Sequence, residues 1–332
     1  MMTTALWLSE ADVAGSVSLA EAIEALQERT AQVAAGQGAN IEKALGTFDA
    51  RSSLHALGAV LPAAGFGGYK TWVNTPDGAK ALYALFDTRA GRLLAMLEAN
   101  VLGQLRTSAM TGLGTRWLAA EDAGDLALLG SGRQALAQVA AIHAVRPLRR
   151  VRVWSPSAER REACTRDLVE RLGLDVQACD SIEAATAAAD IVTVVTRART
   201  PFLQAGMIAD GAHVNAVGAI LPANAELHAD VLDRAGIVAV DDVANVRKSS
   251  REFIDRFGTD EGPQGWGRVA TIGDIVRGAV TPTRAPGSIS LFKAVGMGVS
   301  DLAMAIRAYQ ACRETGAGLP LPLTQGARMR FS

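Results

Sequence analysis

Residues 125–135 read DLALLGSGRQA, and the fold follows from them. The apolar run 126–129 has the length of a strand. Gly130-Ser131-Gly132-Arg133-Gln134-Ala135 then supplies the spacing G-x-G-x-x-A, and helical periodicity begins at once, predicting a helix from Arg133 to about His143. In that context Gly130 permits a tight turn, Gly132 lets the backbone approach a pyrophosphate, and Ala135 lets the helix pack closely on the strand. The helix N-terminus turns its N–H groups toward the phosphates. A glycine turn that serves packing alone is the competing reading; the next strand, VRVWS (151–155), favours dinucleotide binding. Further out come a helix over 158–172 and the apolar runs DIVTVVT (190–196), HVNAVGA (213–219) and GIVAVDD (236–242). Strands alternating with helices predict a right-handed, doubly wound parallel sheet.

Upstream the texture differs. Ser18 and Glu21 have capping-box spacing ahead of Leu19, Ile23 and Leu26, which predicts a helix that stops near Gly36. From about Ile41 to Met96, short runs such as GYKTWVN and KALYALFD are separated by Gly, Asn, Pro and Asp, as in antiparallel hairpins. Helical spacing returns in LGQLRTSAMTGLGTRWLA (102–119), and VSDLAMAIRAYQACRETGAG (299–318) reads as a last amphipathic helix before a tail without period. The chain is therefore expected to be α/β, with an antiparallel domain ahead of a parallel one.

The 332 residues suffice for two domains. With 49% hydrophobic and 20% charged residues, a disordered or fibrous chain is excluded. Lys+Arg of 33 against Asp+Glu of 34 gives a net charge of -1, without the one-sided field that holds nucleic acid or an anionic membrane. A small-molecule partner is expected instead. Glu10 and Asp12 interrupt the N-terminal stretch, and no run reaches the roughly 18 apolar residues of a membrane span, so neither leader nor span is expected. Cys164, Cys179 and Cys312 are odd in number and scattered, which fits a reducing, cytoplasmic setting. His55, His143, His213 and His228 lack ligand spacing, and neither a G-x-S-x-G elbow nor a P-loop is present, so no metal site, common hydrolase or NTPase is expected.

An acidic residue at the end of the second parallel strand would grip the ribose 2′-hydroxyl of NAD. Here the chain reads Val153-Trp154-Ser155-Pro156-Ser157. Ser155 and Ser157 can donate to a 2′-phosphate and Arg160 or Arg161 can add charge, so NADP(H) is favoured over NAD(H). The alternative is that both arginines solvate a helix face.

Lys70 in GYKTW (68–72), Leu105-Arg106-Thr107, LLGSGRQA, DIVTVVT, HVNAVGA and LFKAVGMGVSDLA (291–303) together resemble the ornithine cyclodeaminase and mu-crystallin family. The motifs run in the right order over about residues 40–310. The resemblance implies a Rossmann domain over 119–295, and a substrate and dimerisation domain formed by 1–118 with 296–332 and completed by the C-terminal helix. It also implies a homodimer built through the N-terminal sheets, no metal, and hydride transfer between bound NAD(P) and a small imino, amino or keto acid. By position, Thr107, Arg133, Gln134, Thr196, Val217 and Gly218 join Gly130, Gly132, Ser155, Ser157 and Arg160 as cofactor residues.

Lys70 matches the family's active-site lysine, whose ammonium binds the substrate carboxylate or donates a proton as hydride arrives. Most lysines are solvated surface charges; a lysine flanked by glycine inside an apolar, aromatic strand is not typical of them. Arg106 matches the arginine of the R-T motif, a fork for a carboxylate or the pyrophosphate, with a structural salt bridge as the bland alternative. Thr107 beside it can hydrogen-bond a phosphate or cap a helix. Trp72, two residues beyond Lys70 on the same strand face, lines the pocket or belongs to the core. Lys293 is expected near the nicotinamide, the ribose or the substrate, and Asp301 either there or paired within the last helix.

Two positions depart from the family. Cyclising members place an aspartate after the V-G-[AG] turn, where this chain has Ile220, and isoleucine moves no proton; the nearest downstream carboxylate is Glu226. Near residues 40–46 many members place a further substrate arginine, where this chain offers Asn40-Ile41-Glu42-Lys43, leaving Lys43 as the substitute. The expected activity is an NAD(P)H-dependent reductase of a small imino acid or of a 2-keto acid imine. The alternatives are a cyclodeaminase-type lyase using bound NAD+ and a non-catalytic, mu-crystallin-like NADP-binding protein.

Overall fold

The structure, a computed structural model, describes residues 4–49, 51–283, 285–323 and 328–331. Residues 1–3, where the stretch read for a leader begins, lie outside it. Strand β1 (Ala5–Leu8) is followed by helices α1 (Glu10–Ser16) and α2 (Leu19–Ala34). Ser18 Oγ accepts from Glu21 N while the Glu21 carboxylate accepts from Ser18 N, the capping box that the sequence predicts. Ser9 and Asp12 repeat it on α1, a helix too short to show a periodicity. The meander follows as β2 (Ala39–Asp49), β3 (Ser52–Leu61), β4 (Phe66–Thr75), β5 (Gly78–Asp87) and β6 (Arg92–Glu98), with each strand antiparallel to the next.

Helix α3 (Asn100–Leu118) leads to the second sheet. Its elements are β7 (Asp125–Leu129), α4 (Ala135–His143), β8 (Arg150–Trp154), α5 (Ala158–Leu172), β9 (Val176–Ala178), α6 (Ile182–Thr186), β10 (Ile191–Val194) and β11 (His213–Ala216). After them come α7 (Ala229–Arg234), β12 (Ala235–Val240), α8 (Val243–Ser249), α9 (Arg251–Phe257), β13 (Val269–Thr271), α10 (Ile272–Val276) and β14 (Ile289–Lys293). The strand order is β13-β12-β14-β11-β10-β7-β8-β9, and every pair is parallel. β7 has its successor β8 on one side and β10 on the other, so the winding reverses beside β7, where a doubly wound sheet opens its ligand crevice. Leu126 and Leu128 pack into the core on one face of this sheet and Ala127 and Leu129 into the core on the other. Burial on both faces is why this strand reads as unbroken apolar sequence.

The chain ends in α11 (Gly298–Thr315) and β15 (Leu319–Leu321); β15 pairs with β1, and β1 runs parallel to β6, so the tail and the N-terminus close one seven-stranded sheet. The sequence predicts an amphipathic α11, but its N-terminal three turns are buried almost all round, from Gly298 through Tyr309. The helix lies against β3, β4, α2 and α3. A Cβ on Gly298 would sit 1.8 Å from Gly58 O, so only glycine lets α11 start on the backbone of β3. No described helix is long and apolar enough to cross a membrane.

Candidate active site

That landing of α11 places Asp301, one turn in, over β4. Lys70, on the apolar face of β4 and 5% exposed, donates from Nζ to Asp301 Oδ1 at 2.7 Å and Oδ2 at 2.8 Å. Asp301 is fully buried in the first turn of α11, where the helix dipole favours an anion. Arg106 reaches in from α3, with Nε 3.5 Å from Asp301 Oδ1, and its guanidinium lies against Gly296. Asp301 therefore pairs across elements rather than within its own helix.

Trp72 shares the Lys70 face. Lys70 Nζ is 5.0 Å and Lys43 Nζ 5.6 Å from its ring centroid, distances at which an ammonium is attracted to the ring. His55, opposite Trp72 in the β3–β4 register, stacks on it at 4.6 Å with 3° between the planes, and its Nε2 shares a 2.7 Å hydrogen bond with Ser53 Oγ. Lys70 and Arg106 thus share the Asp301 carboxylate, while Lys43 meets the group through the Trp72 ring. Burial holds the Lys70 ammonium below the ordinary lysine range; Asp301 opposes the shift, while Arg106 and Lys43 add to it. Desolvation and then Arg106 also lower Lys43. Tyr83, paired with Lys70 across β4–β5, is buried with no hydrogen-bond partner for its hydroxyl among the described residues. Burial first, and then Asp301, raise that phenol well above its usual range. Neither His55 nor Tyr83 was legible in the sequence, because each owes its place to strand register.

The other departure has a structural account. Asn40 donates to Asp242 Oδ2 at 2.8 Å and accepts from Val299 N at 2.8 Å, which ties β2 to the cap of α8 and the start of α11. It positions the site without offering a charge, and Glu42 pairs with Lys248.

The second constellation is the glycine turn. Gly130 has φ +127°, and a Cβ there would lie 2.8 Å from Val195 O. Around Gly132 there is open space for a Cβ, and no side chain caps α4, which leaves an anion cradle. Gln134 Oε1 is buried there without a partner among the described residues. The open glycine and the uncapped helix start fit a pyrophosphate, whereas Gln134 Oε1, an acceptor, awaits a donor. Ser131 Oγ meets Ser155 Oγ at 2.9 Å, Ser155 Oγ donates to Ser157 O at 3.1 Å, and Ser157 Oγ caps α5 by accepting from Arg160 N at 3.3 Å. Arg133 and Arg160 are exposed and without an ion pair among the described residues. Arg161 is buried, bound to Ser155 O and Asp180, so it neither solvates a helix face nor remains available to a phosphate.

Two further residues lie otherwise than expected. Thr107 sits two turns into α3 and donates to Gly103 O at 2.8 Å, so it caps nothing. Lys293 does not face a substrate cavity: its side chain has no accessible surface and its ammonium lies 2.9 Å from Glu252 Oε2. Thr196 and Gly218 stand at the carboxyl ends of β10 and β11, joined through Glu226, with Val217 packed in the core between them. Among the described residues no group of three or more His, Cys, Asp or Glu is placed to hold a metal.

The loop that carries Gly296 hangs on Asp241, which accepts from Val295 N at 3.0 Å and Gly296 N at 2.6 Å. Burial raises the Asp241 carboxyl from 3.8 to about 6. Between those two values the folded chain holds a proton that the unfolded chain has released, so this group makes stability fall as pH rises from about 4 to 6. Urea unfolding should show wild type gaining on Asp241→Asn by up to ~3 kcal/mol as pH drops from 7 to 4. A difference that stays constant with pH would overturn this.

Comparison with known proteins identifies the family. The family model "Ornithine cyclodeaminase/mu-crystallin family" matches residues 4–316. The chain is 31% identical to Delta(1)-pyrroline-2-carboxylate reductase of Bacillus cereus over 240 residues, 70% of this chain and 71% of that protein. It is 31% identical to ornithine cyclodeaminase of Agrobacterium fabrum over 75% of this chain and 69% of the other. The solved structure of Thermococcus litoralis Delta(1)-pyrroline-2-carboxylate reductase, in complex with NADH and L-proline, superposes with a TM-score of 0.88 at 26% identity, covering 95% of this chain and 100% of that one. The chain belongs to the ornithine cyclodeaminase/mu-crystallin family.

Proposed function

We propose that the protein reduces the C=N bond of a small imino acid, or of the imine of a 2-keto acid, with a nicotinamide cofactor. The observation that carries this reading is the buried Lys70–Asp301 pair with Arg106 and Lys43 beside it. Two cations on one buried carboxylate, with a third over the neighbouring Trp72 ring, leave positive charge for a substrate carboxylate, and a desolvated lysine with a lowered pKa suits proton donation to the nitrogen. The nicotinamide, when bound, supplies the hydride. The likeness to reductases of Delta(1)-pyrroline-2-carboxylate supports the same substrate class. Ile220 offers no carboxylate for cyclodeamination, and Glu226 does not replace one, since backbone and hydroxyl donors occupy both of its oxygens.

The test is NADPH and NADH oxidation at 340 nm with cyclic imino acids, and with keto acids plus ammonia, run beside conversion of ornithine to proline with NAD+. Consumption of reduced cofactor with a panel member is expected. Proline formation from ornithine without it would overturn the reading.

The cofactor we favour is NADP(H). No carboxylate closes β8, and Arg160, whose N meets Ser157 Oγ, has no ion pair among the described residues, nor has Arg133 in the glycine turn. Arg160→Ala should raise KM for NADPH about tenfold, the order of one charge-assisted hydrogen bond, and leave that for NADH unchanged. Equal effects on both would point to NAD(H).

We assign substrate binding and dimerisation to 1–118 with 296–332, and cofactor binding to 119–295. A homodimer is supported by β2, an edge strand of 11 residues that displays Leu45 and Phe48 beside Leu54 of β3. The free thiols of Cys164, Cys179 and Cys312 suit a cytoplasmic setting.

A further inference from the structure

Two carboxylates and one ammonium are buried together under the carboxyl ends of β10 and β11. Glu226 has no exposure. Its Oε1 accepts from Thr196 N at 2.5 Å and Thr196 Oγ1 at 2.8 Å, and its Oε2 accepts from Gly218 N at 3.0 Å and Ala219 N at 2.9 Å. Four donors converge on two oxygens, which favours the ionised carboxylate, against the upward pKa shift that burial and then Glu252 impose and together with the downward pull of Lys293. Behind it, Glu252 accepts from Glu226 N at 2.6 Å and Leu227 N at 3.1 Å with one oxygen, and from Ser250 Oγ at 3.1 Å and Lys293 Nζ at 2.9 Å with the other. Glu226 and Glu252 against Lys293 leave one uncompensated negative charge, and none of the three is open to water. Arg197 and Arg199 on the loop after β10 are exposed, where solvent screens them.

The crevice of a doubly wound sheet lies outside the carboxyl ends of the strands at the switch point, so the loops fixed by Glu226 face it. We propose that this buried anionic cluster, headed by Glu226, favours the oxidised, positively charged form of the cofactor over the reduced form and thereby assists hydride donation. With a nicotinamide bound, loss of its hydride to the substrate carbon would leave a positive ring, while the substrate nitrogen takes its proton from Lys70. A fixed negative charge in a dry site stabilises that product charge without reorganising. Glu226 acts through its loops and its field, as a positioning and electrostatic residue. The proposal rests on the dinucleotide reading above.

The test compares dissociation constants of NADP+ and NADPH for wild type, Glu226→Gln, Glu252→Gln and Lys293→Met, by calorimetry and nicotinamide fluorescence. Glu226→Gln should raise the ratio Kd(NADP+)/Kd(NADPH) about three- to tenfold, the order expected for one unit charge in a poorly screened site. Glu252→Gln retains a carbonyl for Glu226 N and Leu227 N and should move the ratio the same way. Lys293→Met makes the cluster more negative and should move it the opposite way. Loosened loops alone would weaken both forms together and leave the ratio fixed; an unshifted ratio in the folded variants overturns the proposal. If Glu226→Gln does not fold, the opposed signs of the other two decide. A wild type that binds neither form defeats the dinucleotide reading itself, an outcome distinct from an unshifted ratio.

Discussion

Lys70→Met is expected to lower kcat for imine reduction by about 10²–10⁴, the range lost with a positioned proton donor, while the Kd of NADPH stays within about twofold. Methionine keeps the volume of the buried stem and removes only the ammonium. That ammonium makes the two shortest contacts to Asp301, so its loss leaves a buried carboxylate with Arg106 at 3.5 Å as its nearest cation. A buried charge stripped of its partner costs about 3–5 kcal/mol, and unfolding measurements should show a loss approaching that. Lys70→Met/Asp301→Asn should recover most of the stability and none of the rate. Recovery of rate in the double variant would mean that Lys70 only neutralises Asp301. In wild type the proton-donating form is the ammonium, which burial disfavours, so kcat/KM should fall with rising pH before an ordinary lysine would titrate.

The sequence made the parallel sheet legible because the features that define it are local. The turn at Gly130, the helix that follows it and the apolar run of β7 all lie within a few residues of one another. The meander was equally local, with turn residues between alternating strands. What escaped depends on contacts between distant segments. β14 follows β13 in the chain yet inserts between β11 and β12, and β15 returns to pair with β1; no periodicity encodes either move. In the site, Lys70 and Arg106 stood out by motif, but Asp301 became their partner only once α11 landed on Gly58. His55 and Tyr83 are ordinary strand residues until register sets them opposite Trp72 and Lys70.

Lys293 shows how a motif can identify a residue and mislead about its work. Its place in LFKAVGMGVSDLA suggests cofactor or substrate, yet both it and Glu252 are sealed from solvent, with side-chain exposures of 0% and 1%. Lys293→Met should therefore act first on stability. It leaves Glu252 and, beyond it, Glu226 as two buried carboxylates without a counter-charge, for a loss of about 3–5 kcal/mol. For a chain of this size that corresponds to a fall in Tm of about 4–7 °C by calorimetry. Glu252→Gln added to Lys293→Met removes the nearer of the two stranded charges, the one that Lys293 contacts, while an amide carbonyl still receives Glu226 N and Leu227 N, so the double variant should regain most of the loss. Buried pairs of this kind cost more to break than to replace, and a coupling energy of at least ~2 kcal/mol between the two positions is expected. If Lys293 instead held substrate, the single variant would raise the substrate KM at unchanged Tm and Glu252→Gln would not rescue it.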